Sequence, residues 1–509
     1  MTGEDTSYNQ TKLEEDGPLM NPQTDANPQP PTPGPYKIVA ATSFGVFLSA
    51  LDASIVNVSL VTIKDDLGVS MAAIQWVVVA YLLIVTSAMP LMGKVGDRLG
   101  KTKVFQLGML VFVGGSLLCA FSVGLGMLVA ARIFQALGAS MISANGLALV
   151  TYFTTTQNRG RAIGMNSIVL AAALGFGPVL GGFLSQFYGW PSIFLVNLPI
   201  GLIGFLVVQF VVPETEPVKE IKFDTPGAIL FFSFLFILIY FFTVAASIPF
   251  GIGLLLVEGF FISLLAFLIR ERSFHSPIIA TGVLADKRIS TSIFSALLAY
   301  MAMVPISFLL PFYLQEALDF TQSVTGIFLM VQPIMISVTG PIAGFVSERW
   351  CAKNQTVVGL LVQLTGLAFI ALAIPNVLLM AVGIAIMGTG LSFFSVANGN
   401  FIMTAAPKQY MGVVSALTNI ARTTGFSVAT ALVTTIFGIF FLTTNPDGVT
   451  TGPLYTASYG QAVELTIWVF TILVIISAII SSRRGLNPCE AERMSSEITI
   501  APIDQIPQR

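Results

Sequence analysis

Charge is what this chain has least of. Only 10% of its 509 residues are Asp, Glu, Lys or Arg, against about 25% in an ordinary soluble domain, which excludes a surface that faces water on all sides. His275 is the single histidine and falls in a charged loop, so no metal site is expected. The three cysteines are Cys119 in an apolar run, Cys351 in a short loop and Cys489 near the end; they are too scattered for a disulfide framework and read as free thiols. No GxxxxGK[ST] run is present, which argues against an ATP-driven pump. A net charge of -2 leaves no basic surface for nucleic acid. Residues 1–36 contain seven prolines (Pro18, Pro22, Pro28, Pro30, Pro31, Pro33, Pro35) and no apolar run, so neither a secretory signal nor a packed core is expected there, only a disordered tail.

What the chain does have is apolar length. Hydrophobic residues make up 55% of it. Stretches of roughly 20 uncharged residues, each able to cross a hydrocarbon layer of about 30 Å at about 1.5 Å per residue, are expected near 38–61, 72–93, 103–123, 125–150, 162–187, 191–212, 226–247, 250–270, 289–314, 323–346, 354–374, 376–403, 410–440 and 460–482. An all-α membrane protein with fourteen spanning helices follows. If residue 1 lies in the cytoplasm, 21 of the 24 Lys and Arg fall in cytoplasmic loops or tails, Lys64 falls outside, and Arg132 and Arg422 lie within helices. Because Lys and Arg resist translocation, both termini are assigned to the cytoplasm of a cell membrane. The connection at Ser247–Pro249 leaves room only for a tight hairpin between helices seven and eight.

One pattern occurs twice. Pro90, Gly93, Val95, Asp97 and Arg98 end helix two, and Pro341, Gly344, Val346, Glu348 and Arg349 end helix ten, at a constant offset of 251 residues. The repeat implies two six-helix bundles of like topology with helices seven and eight inserted between them. The expected divisions are a tail over 1–36, a first bundle over 37–213, an insert with its linker over 214–272, a second bundle over 273–482 and a cytoplasmic tail over 483–509. Parallel halves of this kind place a substrate site between them at mid-depth. A duplicated channel or membrane enzyme would show the same repeat.

The run Gly93 to Lys101 resembles the loop signature between helices two and three of the major facilitator superfamily, with Asp97 placed to cap the next helix and to pair with cations. Arg132, Gln135 and Gly138 are similar to that family's pattern in helix four. Gly175-Phe176-Gly177-Pro178-Val179-Leu180-Gly181-Gly182 resembles its exporter signature in helix five; there glycines allow close helix contact and Pro178 deletes one backbone bond, a bend that packing must support. Leu51-Asp52-Ala53-Ser54-Ile55-Val56-Asn57-Val58, the run from Gly189 and Trp190 through Asn197 to Gly201, and Arg422 with Gly425 and Ser427 resemble motifs of the fourteen-helix drug:proton antiporter subfamily; Pro191-Ser192 depart from its Arg-Trp pair. The resemblance covers residues 38–482. It implies a monomeric, proton-coupled exporter of amphiphilic small molecules, lying in a lipid bilayer and without a cofactor or enzyme activity.

Ionisable residues inside spans cost about 2.5–3.5 kcal/mol each on insertion scales, so each one needs a partner or a task. Helical rise puts Asp52 about 21 Å from the inner side and Arg132 about 10 Å from the outer side, nearly level. Asp52 is the expected protonation site and Arg132 its neighbour; a static ion pair fixing helices one and four is the alternative. Glu258, about 12 Å from the outer end of helix eight, reads as a second proton carrier, an attractor of cations, or a protonated Glu facing a neighbouring helix. Arg422, near mid-depth with no acidic residue in the membrane part of helices nine to thirteen, calls for a partner from elsewhere, an anionic or zwitterionic substrate group, or a backbone carbonyl. Asn57, Gln135 and Arg422 are assigned to the substrate pathway. Gly93, Asp97, Arg98, Gly177, Pro178, Gly181, Gly182, Gly344, Glu348 and Arg349 are assigned to conformational change. Multidrug efflux leads; export of one metabolite or lipid, or a transporter-like receptor without turnover, stay open beside it.

Overall fold

The computed structural model describes residues 34–154, 156–217, 224–244, 248–274, 286–406 and 411–484, and every regular element among them is helical. Most of both expected tails, His275, Cys489, Ser247 and the side chain of Glu348 lie outside the described residues. The helices are α1 (Pro35–Asp66), α2 (Met71–Leu99), α3 (Lys101–Ala120), α4 (Leu125–Phe153), α5 (Thr156–Tyr188), α6 (Ser192–Val211) and α7 (Thr225–Val244). They continue with α8 (Phe250–Ser273), α9 (Lys287–Ala317), α10 (Gln322–Leu329 and Val331–Arg349), α11 (Ala352–Ala373), α12 (Val377–Ala405), α13 (Met411–Thr444) and α14 (Pro453–Ser482). Among the described residues, 13 helices are long and apolar enough to cross a membrane; α5, at 33 residues, has the length as well. The chain is a multi-pass membrane protein.

Local sequence explains where the helices begin. Pro35 occupies the first turn of α1, where its missing N–H costs nothing, and extends that helix three residues beyond the expected start at 38. Ser70 caps the start of α2 through the Ala73 N–H, Asn376 caps α12 through the Leu379 N–H, and Asp286 caps α9 through the Arg288 N–H. Asp97 does not cap α3. The turn is made by Gly100 at φ 98°, a conformation other residues avoid, and Asp97 instead pairs with Lys101 one turn later.

The chain begins and ends on one face. Val39 at the start of α1 packs with Val150 and Ala162 at the facing ends of α4 and α5. Arg484, just past α14, donates to the Ala352 carbonyl and to the side chains of Thr356, Ser292 and Asn398. This side is the terminal face; the other is the distal face.

Packing follows a rule in which each helix of α1–α6 has the neighbours of the helix eight places later. The pairs α1 with α5, α2 with α4, and α3 with α4 and α6 recur as α9 with α13, α10 with α12, and α11 with α12 and α14. Between the two sets, α5 meets α10 and α2 meets α13, which are exchanged by the same rule. Helix α7 touches both α2 and α13 at that second seam, and α8 packs on α7. Only 17% of the most apolar stretch of α8 is buried, against 61% for α1, so α8 is peripheral. The outer surface is apolar; Phe210 is 84% exposed and Phe250 88%, a surface suited to lipid.

Helices α3 and α4 approach through glycine. A Cβ on Gly138 would lie 2.5 Å from the Phe112 nitrogen and 2.7 Å from the Gly108 carbonyl oxygen, so the helix backbones themselves are in contact. Gly138→Ala is expected to cost about 1–3 kcal/mol by overpacking, read as a lower unfolding midpoint in detergent at a fixed scan rate. Gly399→Ala, where a Cβ would meet nothing within 4 Å, is the control and should leave the midpoint unchanged or raised.

Candidate functional site

The most enclosed polar group in the first helix set is a cluster between α1, α2, α3, α4 and α6. Asp52 of α1 is fully buried and Arg132 of α4 is 1% exposed. Arg132 Nη1 donates to Asp52 Oδ2 at 2.6 Å and to Gln135 Oε1 at 2.6 Å, and its Nε donates to the Val77 carbonyl of α2 at 3.2 Å. Gln135 Nε2 donates to Asp52 Oδ1 at 2.8 Å and to Ser116 Oγ of α3 at 2.7 Å. Asn197 Nδ2 of α6 donates to the same Asp52 oxygen at 2.8 Å. The Arg132 guanidinium also stacks 4.0 Å from the Tyr81 ring centroid. Three side chains thus donate to one carboxylate and both its oxygens accept, which satisfies a charge that would otherwise be prohibitive away from water.

The expected level match of Asp52 with Arg132 is therefore a direct ion pair, and Gln135, one helical turn from Arg132, belongs to the same network. Ser116, Tyr81 and Asn197 were not singled out from sequence. Asn197 lies inside the Gly189–Gly201 run, and its signal was available: an amide in an otherwise apolar helix needs a polar partner. Trp190 of that run is held by its Nε1, which donates to Asp66 Oδ2 at 2.8 Å.

The glycine-proline face of α5 lies against α1 and α10. A Cβ on Gly177 would sit 2.5 Å from Ser54 Cβ, and one on Gly181 would sit 2.5 Å from the Ile55 carbonyl oxygen. Pro178 leaves the Leu174 carbonyl, four residues earlier, without its helical N–H; Ser54 Oγ of α1 donates to that carbonyl at 3.0 Å. Gly182 and Gly326 bring α5 and α10 into backbone contact, since a Cβ on either would collide with the other helix's main chain.

The two copies of the repeated motif have different neighbours. In α2, Gly96 faces Asn145, whose Nδ2 donates to the Met92 carbonyl at 3.1 Å, while Gly93 has only Ala144 near it and Arg98 is exposed. In α10, a Cβ on Gly344 would meet nothing within 4 Å, and Arg349 stacks on Phe345 of its own helix at 4.1 Å.

Other expected site residues stand apart from the Asp52 cluster. Asn57, further along α1 toward the distal face, is partly buried and its Oδ1 has no hydrogen-bond partner. Arg422 of α13 is partly buried and donates to Asn419 Oδ1 at 2.6 Å; a side-chain amide one turn earlier takes the place of the expected carbonyl. Glu258 lies on the exposed surface of α8, away from the cluster.

Polar contacts join the two helix sets at the distal face. Lys64 Nζ of α1 lies 2.6 Å from Glu316 Oε1 of α9. Gln315 Nε2 donates to the Val58 carbonyl at 3.0 Å, Gln322 Nε2 donates to Thr62 Oγ1, and the Ser323 N–H donates to Gln186 Oε1 at 3.1 Å. Gln315 and Glu316 sit in a wide helical turn, Tyr313–Ala317, just after Pro311, a distortion that recurs at functional sites. Nearer the terminal face, Asn419 Nδ2 of α13 donates to the weak acceptor Met89 Sδ of α2 at 3.4 Å.

Residues 42–430 match the model of the Major Facilitator Superfamily. The chain belongs to the Major Facilitator Superfamily. It is a transporter with the all-helical fold of that family, as are its named relatives. It is 35% identical to the riboflavin transporter RibZ of Clostridioides difficile over 311 residues, 61% of this chain and 67% of that one. It is 31% identical to the methylenomycin A resistance protein of Bacillus subtilis over 58% of this chain and 63% of that one. Among solved structures, a D-xylose-proton symporter superposes with a TM-score of 0.65 at 10% identity, covering 89% of this chain and 98% of that one. An inward-facing bacterial homologue of the human lysosomal transporter Spinster gives 0.63 at 16% identity, covering 88% of this chain and 96% of that one.

The distal pair is directly testable in this transporter. With both partners about one-fifth exposed, the pair is worth about 0.5–1 kcal/mol. In a background with Cys119, Cys351 and Cys489 replaced by Ala, Glu316→Gln is expected to raise the rate at which Asn57→Cys reacts with a membrane-impermeant maleimide by roughly two- to fivefold. An unchanged rate would show that the pair does not hold this face shut.

Proposed function

We propose that this transporter is a proton-coupled antiporter that exports amphiphilic small molecules, with Asp52 as the proton-carrying residue. The observation that carries the reading is the sealed Asp52–Arg132–Gln135–Asn197–Ser116 network. Protonating Asp52 turns an acceptor into a donor where three donors converge, so Arg132, Gln135 or Asn197 must move away. Those groups lie on α4 and α6, so gain or loss of one proton changes how α1 packs against its neighbours.

The architecture proposed with this reading is two six-helix bundles, 37–213 and 273–482, with α7 and α8 inserted in residues 214–272. The exchange of helix contacts by the eight-place rule supports it. In this reading the terminal face is cytoplasmic, in keeping with the Lys and Arg distribution, and the polar contacts at the distal face describe a state closed to the exterior. Alternating access then breaks Lys64–Glu316 and its neighbours while the α5–α10 seam rocks about Gly182 and Gly326 and the α2–α13 seam shifts with it. Glu258, on the exposed surface of peripheral α8, has no part in this mechanism. Several relatives are named for drug resistance or drug export, among them the tetracenomycin C resistance and export protein of Streptomyces glaucescens, and this supports an efflux role.

A second reading, export of one metabolite, is favoured by one observation. Arg422 has five guanidinium donors and, among the described residues, a single side-chain acceptor in Asn419, which suits a substrate rich in carbonyl or anionic oxygen. Similarity to a riboflavin transporter points to planar heterocycles of that kind.

Proteoliposomes under an imposed pH gradient separate these readings. Wild-type protein is expected to move ethidium against its gradient, and Asp52→Asn is expected to abolish that flux while the protein remains inserted. Because removing one partner of a buried pair costs about 3–5 kcal/mol, Asp52→Asn with Arg132→Gln serves as the charge-balanced control and is expected to be equally uncoupled. Gradient-driven flux retained in either variant would defeat the assignment of Asp52. Riboflavin transport in place of ethidium transport, lost in Arg422→Gln, would establish the second reading.

A further inference from the structure

A groove of about 520 Å³ opens on the second helix set, away from the Asp52 network. Ser290, Thr291, Phe294 and Leu297 of α9 form its floor, and Ala421 of α13 and Ile480 of α14 form its walls. The volume lies within the ~300–1,000 Å³ of small-molecule sites, yet the lining is almost wholly apolar. Both hydroxyls are turned back onto their own helix: Thr291 Oγ1 donates to the Lys287 carbonyl at 2.6 Å and Ser290 Oγ to the same carbonyl at 3.4 Å. Phe294 remains 51% exposed, a large apolar side chain only half covered by protein.

The terminal-face end of the groove is cationic. Lys287 precedes Ser290 and Thr291 by three and four residues, and Arg483 follows Ile480 by three, so helical periodicity sets both cations on the faces that line the groove, one turn beyond its apolar part. Both are exposed, and neither has an ion pair among the described residues. The nearby Asp286 does not oppose them. Its two oxygens are taken by Arg288, through Nε at 3.2 Å and Nη2 at 2.7 Å. That hydrogen bonding holds the Asp286 carboxyl below the usual carboxylate range.

An apolar cleft within the membrane, topped by two cations that no acidic side chain opposes among the described residues, matches one ligand chemistry: acyl chains under an anionic headgroup. We infer that the α9–α13–α14 groove is a binding site for one anionic phospholipid of the terminal-face leaflet, its phosphate held by Lys287 and Arg483 and an acyl chain lying along Phe294, Leu297 and Ile480. Because Ala421 is the residue before Arg422, an occupied groove braces α13 where that helix carries its guanidinium.

The test uses the full chain in phosphatidylcholine vesicles doped with phosphatidylglycerol that carries a photoreactive acyl chain, with crosslinked peptides mapped by mass spectrometry. Labelling is expected at Phe294, Leu297 or Ile480 and is expected to exceed that by a phosphatidylcholine analogue with the same chain. Each of Lys287→Gln and Arg483→Gln should lower it about fivefold, the equivalent of about 1 kcal/mol per cation at a membrane surface. The charge-conserving variant Lys287→Arg with Arg483→Lys should restore it, which guards against loss of fold. Leu297→Trp, which fills the cleft, should remove labelling while both cations remain. Equal labelling by the two lipids, no response to the paired charge removal, or displacement of the lipid by inorganic phosphate would each overturn the assignment.

Discussion

A carboxylate inside a hydrocarbon layer has no water to turn to, so it must be met by a counter-charge and hydrogen-bond donors from the protein itself. Asp52 meets that requirement with groups from α4 and α6, and Arg132 meets its own with the Val77 carbonyl of α2 and the Tyr81 ring. Five helices are thereby held to one charge. The rest of the first helix set is arranged so that these groups can converge: glycines bring α3 within backbone distance of α4, and Ser116 and Gln135 meet across that contact.

The second helix set repeats the pairwise contacts of the first. Its buried cation at the terminal face, Arg484, binds carbonyl, hydroxyl and amide oxygens of α9, α11 and α12 and stacks on Phe401. Arg422 leans on an amide. The α5–α10 seam between the sets is a backbone contact, with Gly326 against the main chain at Pro178 and Gly182 against that at Gln322; within the first set, Ser54 donates to the carbonyl that Pro178 left open.

Much of this was legible beforehand because membrane chemistry writes itself plainly into sequence. Uncharged runs of about 20 residues are long enough to be spans, and most helix ends came within a few residues; α5 and α14 begin six and seven residues before the expected 162 and 460, α2 ends six after the expected 93, and where α1 begins earlier, Pro35 explains it. The 251-residue repeat anticipated equivalent helices, and helical rise alone set Asp52 level with Arg132. Less legible was any contact that depends on which way a helix is turned. Asp97 looked like a cap, yet Gly100 makes the turn and Asp97 pairs with Lys101. Glu258 looked buried by depth, but depth does not say which face meets lipid, and α8 is peripheral.

Composition and spacing determined that the chain carries helices able to span a membrane, that one motif recurs 251 residues later, and that Asp52 and Arg132 share a depth. They could do so because hydropathy and helical rise are properties of one helix at a time. Tertiary structure alone decided that Ser116 and Asn197 complete the Asp52 shell, that Gln315 and Glu316 close the distal face against α1, and that an apolar groove runs beneath Lys287 and Arg483. Each of these rests on the rotation and tilt of two or more helices about each other, and in a lipid-surrounded bundle that is set by the mutual fit of small residues and polar groups rather than by the sequence of any one segment.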